Sequence, residues 1–226
     1  NRGIQQCRIF EIGTAFFPKS LPLEELPEEI RILTIGEYGP GMDYYDIKGK
    51  IETLLKFLGL LDQAEFIPHV HPAFHPGRTA LLKLGTVEAG VIGEIHPKIA
   101  GNYQLEDRVI LAELDFDKLI SMAQDQRKYK PLPKYPAVTR DLALVVHKDV
   151  LAGQVEKCIW KYGGELLEAV ELFDIYMGSQ IPEGYKSLAY ALNYRAADRT
   201  LTDEEVSLLH DSIVKGLEKD LGARLR

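Results

Sequence analysis

Cysteine is nearly missing from this chain of 226 residues: Cys7 and Cys158 are its only two, and they stand far apart. Two distant thiols make no disulfide framework, so a reducing compartment is expected and cytoplasm is the default location. No apolar run approaches a membrane span, which excludes a membrane role built on helices. There is no signal-peptide pattern, no internal repeat and no low-complexity tract. Excess positive charge is missing too, since the formal net charge is -7. A strong nonspecific nucleic-acid binder is usually basic, so any such contact has to be local and helped from elsewhere. Gly36-Glu-Tyr-Gly-Pro-Gly41 is glycine-rich but lacks a following Gly-Lys-Ser/Thr, so it reads as a turn rather than a phosphate-binding loop.

What remains is ordinary globular material, 46% hydrophobic, enough for two modest domains or one large one. Asn1 rather than Met opens the chain, and a strand-like run follows almost at once, so a piece of a longer protein is expected. The stretch Asp125 to Pro136 is polar and then carries three prolines, which restrict themselves and their predecessors to extended backbone. It divides the chain into a first domain over 1–124, a linker over 125–134 and a second domain over 135–226.

The fold class read from the pattern is α+β. In the first domain strands dominate: Ile9–Phe17, Ile30–Gly36, Ala64–Pro68, Thr79–Leu84, Val87–Ile95 and Val109–Leu114. One helix follows Asp43, with Ile47, Ile51, Leu54, Leu55 and Leu58 at helical spacing and Gly59 at its end. A short helix over Asp115–Met122 closes a mostly antiparallel region. In the second domain, Asp141–Val146 is a strand, and a helix follows on the stripe Leu151, Val155, Ile159 and Tyr162 until Gly163 and Gly164. Leu166–Tyr176 and Ser187–Arg195 are strands. In the latter, Leu188, Tyr190, Leu192 and Tyr194 share one face, while Ser187, Ala189, Ala191 and Asn193 share the other. Thr202 with Glu205 forms a capping box, and Val206, Leu209, Ile213 and Leu217 line the helix it starts. With a last strand at Ala223–Arg226 the order is βαββαβ, a ferredoxin-like split unit with helices on one sheet face and the other face free.

Three stretches in this second domain point to a family. They are Thr139-Arg-Asp-Leu-Ala143; Phe173-Asp-Ile-Tyr-Met-Gly178 with Ile181-Pro-Glu-Gly-Tyr-Lys-Ser-Leu-Ala189; and Arg195-Ala-Ala-Asp-Arg-Thr-Leu-Thr-Asp-Glu-Glu-Val206. Together they resemble the ferredoxin-fold anticodon-binding domain that ends the β subunit of bacterial phenylalanyl-tRNA synthetases, from about Tyr135 to Arg226. The first domain resembles the segment that precedes it there, a class II synthetase-like module without catalysis. Its carriers are Phe10-Glu-Ile-Gly13, Tyr44-Tyr-Asp-Ile-Lys-Gly-Lys-Ile-Glu52, His75-Pro-Gly-Arg-Thr-Ala80 and Ile92-Gly-Glu-Ile-His-Pro97. The resemblance implies a module truncated at its start, with the editing domain and the magnesium-binding acidic cluster lying upstream.

It further implies a parent α2β2 enzyme that attaches phenylalanine to its tRNA with ATP and magnesium, with adenylation on the α subunit and no cofactor in this chain. A working class II site needs paired arginines around ATP, one on a Gly-x-Gly-x-x-Arg motif. Val91-Ile-Gly-Glu-Ile95 lacks it, and Arg78 stands in another context. The anticodon positions that the resemblance transfers are Ala143, Asp174, Tyr176 and Ser187. A tyrosine ring stacks on unpaired bases, a carboxylate accepts from base N–H groups, a serine donates or accepts, and alanine allows close approach. Arg140, Lys186, Arg195 and Arg199 are candidates for phosphate contacts.

Plainer readings stand beside these. Tyr176 also fits an ordinary strand-end tyrosine, and Asp174 a turn former near Gly178. His69, His71, His75 and His96 invite a metal, but prolines surround them and no cysteine or carboxylate completes a shell, so a structural role is expected. Two other functions compete with RNA binding and assembly. A self-contained class II ligase would need the missing ATP arginines. A small-molecule regulatory module would show stabilisation by an amino acid and no response to RNA.

Overall fold

A computed structural model describes residues 5–124 and 131–226. It divides into two compact units, Asn1–Lys128 and Tyr129–Arg226. Of the expected linker, residues 125–130 lie outside the described residues, and 131–134 carry no regular structure.

The first unit holds a six-stranded antiparallel sheet in the order β1-β2-β6-β5-β4-β3. The strands are β1 (Cys7–Phe17), β2 (Glu28–Tyr38), β3 (Ala64–Pro68), β4 (Phe74–Leu84), β5 (Val87–Ile95) and β6 (Val109–Asp115). The helices are α1 (Tyr44–Phe57), α2 (Pro97–Asn102) and α3 (Phe116–Met122). Strand alternation sends Ala80, Leu82 and Leu84 of β4, and Ile110, Ala112 and Leu114 of β6, to one buried face. Ile47, Ile51 and Leu55 of α1, fully buried, pack into the same core. The helix starts where expected: the Asp43 carboxylate accepts from the N–H groups of Tyr45 and Asp46, and Asp46 accepts from that of Asp43. It ends at Gly59, whose positive φ suits glycine. The run from Gly36 to Gly41 is only partly a turn, because pairing with β1 and β6 carries β2 on to Tyr38.

The second unit has the four-stranded antiparallel order β10-β7-β9-β8. Its elements run β7 (Val138–His147), α4 (Ala152–Gly163), β8 (Leu167–Tyr176), β9 (Tyr185–Tyr194), α5 (Asp203–Leu221) and β10 (Arg224–Leu225), the expected βαββαβ. β7 is longer than its hydrophobic run, since it pairs with β9 over ten positions. Leu142, Leu144 and Val146 meet Leu188, Tyr190, Leu192 and Tyr194 beneath Val155, Ile159, Val206, Ile213 and Leu217 of the two helices. The Tyr190 hydroxyl donates to the Ala152 carbonyl at 3.2 Å, which satisfies its polar end within this core.

α5 begins with a complete capping box: Thr202 Oγ1 accepts from the Glu205 N–H, and Glu205 accepts from the Thr202 N–H at 3.0 Å. Thr202→Ala removes one of the two reciprocal bonds. It is expected to cost about 1 kcal/mol, read as a lower urea midpoint with an unchanged denaturant slope.

Candidate anticodon-binding face

Both helices of the second unit lie on one side of its sheet, so side chains of opposite parity form a face with no helix over it. On β7 these are Thr139, Asp141, Ala143 and Val145, and on β9 they are Ser187, Ala189, Ala191 and Asn193. The centre of the face is therefore lined with small side chains. Thr139 donates to the side-chain oxygen of Asn193 across it at 2.7 Å.

The edge strand β8 contributes through two irregularities. Leu172 pairs with Tyr190 and Asp174 with Ala189, which leaves Phe173 without a partner. A second step of the same kind falls at Glu168, between Leu167 and Ala169. Each extra residue reverses the phase of the side chains that follow. Were β8 regular from Leu172 onward, Asp174 and Tyr176 would share the helix-covered side with Leu172. The bulge at Phe173 puts them opposite Ala189 and Ser187, on the open face. All four transferred positions, Ala143, Asp174, Tyr176 and Ser187, thus fall on that one face. Asp174 is exposed and Tyr176 partly so, whereas Ser187 is only 3% exposed.

Tyr176 has two neighbours, Gly178 and Arg226. A Cβ at Gly178 would collide with its ring and hydroxyl, so the glycine makes room for the ring to lie over the loop. The Arg226 guanidinium sits 5.2 Å from the ring centroid, within cation–π range. Arg226 also donates to the side-chain oxygen of Gln180 at 3.0 Å, and its backbone N–H donates to the Ala143 carbonyl at 3.0 Å. Neither Arg226 nor Gln180 is among the site residues expected from the sequence, and the bulge leaves no trace in the pattern of β8. The alternation Arg224-Leu225-Arg226 in a last short strand was the available signal for the two arginines.

The four candidate phosphate contacts are placed differently. Arg140 shares the helix-covered side with Leu142 and donates to Asp203 at 2.7 Å. Lys186 shares that side with Leu188 and donates to the Lys148 carbonyl at 2.9 Å; burial lowers its pKa. Arg195 donates to Glu168 at 2.8 Å and to the Tyr135 carbonyl at 3.2 Å. Arg199 donates to Glu205 at 2.6 Å and to Asp198 at 3.1 Å. None of the four lines the open face beside Tyr176.

Three of the four candidate histidines of the first unit, His71, His75 and His96, close local turns. His71 Nδ1 accepts from the Ala73 N–H, His75 Nδ1 from that of Gly77, and His96 Nδ1 from that of Lys98 at the start of α2. Among the described residues no three His, Cys, Asp or Glu side chains are grouped to hold a metal. No described helix is long and apolar enough to cross a membrane.

Residues 133–226 match the ferredoxin-fold anticodon binding domain, and residues 1–116 match the phenylalanyl tRNA synthetase beta chain CLM domain. The chain belongs to the phenylalanyl-tRNA synthetase β-chain family. The phenylalanine--tRNA ligase beta subunit of Clostridium tetani is 46% identical over 226 residues, which is 100% of this chain and 28% of that protein. The same subunit of Clostridium acetobutylicum is 42% identical over 220 residues, 97% of this chain and 28% of its own length. That of Symbiobacterium thermophilum is 43% identical over 237 residues, 100% of this chain and 26% of its own. The chain thus spans under a third of the length of these family members. Among solved structures, the pyrrolysyl-tRNA synthetase from Desulfitobacterium hafniense aligns with 51% of this chain and 40% of its own at 18% identity and TM-score 0.40, too loose a likeness to bear on function.

The Arg199–Glu205 pair has a pH consequence. The Thr202 N–H first, and then the Arg199 guanidinium, hold the Glu205 pKa below its ordinary 4.5. A depressed folded-state value means stability that is complete above 4.5 and lost as pH falls through the folded value. Glu205→Gln is therefore expected to melt below the wild type at neutral pH, with the gap closing as the pH drops under 4.5. Thermal unfolding followed from pH 7 to pH 3 checks this.

Proposed function

We propose that the second unit reads the anticodon of a phenylalanine tRNA on its open sheet face. The observation that carries this reading is the phase change at Phe173, which brings an exposed carboxylate and an aromatic ring into register with a floor of small side chains. In the proposed role, Tyr176 stacks on an unpaired base, Asp174 accepts hydrogen bonds from a base edge, and Ala143 leaves room for close approach. Ser187, nearly closed off from solvent, serves as the floor beside them.

The proposal extends to the parent enzyme. It is an α2β2 phenylalanine--tRNA ligase of the cytoplasm that uses ATP and magnesium, with adenylation on the α subunit and none on this chain. Domain limits of 1–124 and 135–226 go with it, the first being a non-catalytic class II-like module. The relatives' name supports the ligase assignment. The exposed apolar side chains of β1, with Phe10 at 73% and Ile9 at 67%, suit burial against other parts of such an assembly.

The test is a titration of the 226-residue chain with the anticodon stem-loop of phenylalanine tRNA, beside a stem-loop of altered anticodon. The cognate loop is expected to bind more tightly. Tyr176→Ala is expected to weaken cognate binding by about 1–3 kcal/mol, the usual worth of one base stacked on an aromatic ring. Equal binding of both loops, unaffected by Tyr176→Ala, would refute readout on this face.

A further inference from the structure

An acidic chain that binds a polyanion has to offer positive charge where the strand passes, and the cations named from sequence do not. Arg140, Arg195 and Arg199 each donate to a carboxylate, so their charge is already neutralised. Arg226 differs. Among the described residues its partners are the neutral amide of Gln180, the face of the Tyr176 ring and the Ala143 carbonyl, with no Asp or Glu side chain in salt-bridge reach. Arg224 pairs in register with Val145, which places it on the same open face two residues earlier. The short strand β10 and the residue that follows it therefore set two arginines at the sheet edge beside Ala143, Val145 and Tyr176.

We propose that Arg226 and Arg224 are the phosphate-binding edge of this face. The inference rests on the anticodon reading above and adds the residues that hold the RNA backbone. Arginine presents five N–H donors in one plane, and the bond to Gln180 uses one of them. A guanidinium lying against the Tyr176 ring keeps its edge free for a phosphate and matches that oxyanion bidentately. A base stacked beside Tyr176 brings its own phosphate within one sugar of that edge. Arg226 thus grips whatever nucleotide Tyr176 stacks, and the grip carries no sequence information.

The experiment is the same stem-loop titration repeated over a series of salt concentrations for four proteins: wild type, Arg226→Gln, Arg226→Lys and the double variant Arg224→Gln/Arg226→Gln. Each lost phosphate contact to a single strand is expected to lower the steepness of log K against log salt by about 0.7. Arg226→Gln should weaken cognate and altered loops by the same factor, the double variant should lose about twice the slope, and Arg226→Lys should keep the slope. Melting temperatures of the free variants report whether the fold survives, and a purely structural role would leave the slope unchanged. An unchanged slope in both glutamine variants, or a loss confined to the cognate loop, overturns the proposal. If Tyr176→Ala still weakens cognate binding in that case, the anticodon reading stands without it. Failure of the wild type to bind either loop overturns both.

Discussion

The burial of seven side chains on one side of two central strands governs the second unit. Leu142, Leu144 and Val146 on β7, with Leu188, Tyr190, Leu192 and Tyr194 on β9, are all fully or nearly fully withdrawn from water. Each large side chain of this kind contributes about 1.5–3 kcal/mol when buried, so the sheet cannot turn over. Because side chains alternate, committing these seven to the helices also commits Ala143, Ser187, Ala189 and Ala191 to the far side. The open face is thus the obligatory complement of the core, and its small residues follow from which neighbours were made large.

The parts of this arrangement that repeat locally were legible in the sequence. The alternation of β9, the capping box at Thr202 and the glycines ending α1 and α4 each depend on a few neighbouring residues, and each stands where the pattern put it. β8 was legible as a strand but not in phase, since its bulges at Glu168 and Phe173 are settled by pairing with β9 and leave no periodic trace. The pairwise sharing of Asp174 and Tyr176 followed from their spacing of two, whereas the side of the sheet on which they lie did not. Charge was the least legible feature. Arg195 meets Glu168 and Arg140 meets Asp203 across 27 and 63 residues, distances over which sequence says nothing about pairing.

In the first unit the same physics leaves a different surface. α1 covers the middle of the six-stranded sheet, but β1 at its edge is apolar on both faces, with Ile9, Phe10, Ile12, Phe16 and Phe17 all exposed. Beside it Phe10, Ile12, Leu33, Ile35, Leu54 and Phe116 line a groove, at one end of which Glu37 is buried to 1% exposure next to Lys50 and Arg8. Edge strands that stand alone are usually protected by charge, proline or a covering element. On β1 the charged residues are Arg8 and Glu11, set among these exposed apolar side chains, and family members are more than three times the length of this chain.

The contacts around Tyr176 also set how firmly the open face is built. Tyr176 rests on Gly178 and Arg226, and Arg226 is carried by a strand of two residues at the sheet's edge. Local opening free energies are smallest where few backbone bonds and little apolar area hold a segment. β10 can detach while β7, β9 and both helices stay folded, and its amide protons should then exchange with solvent far sooner than those of the central strands. The ring's partner is therefore expected to come and go with fraying of this strand, independently of the stability of the domain beneath it.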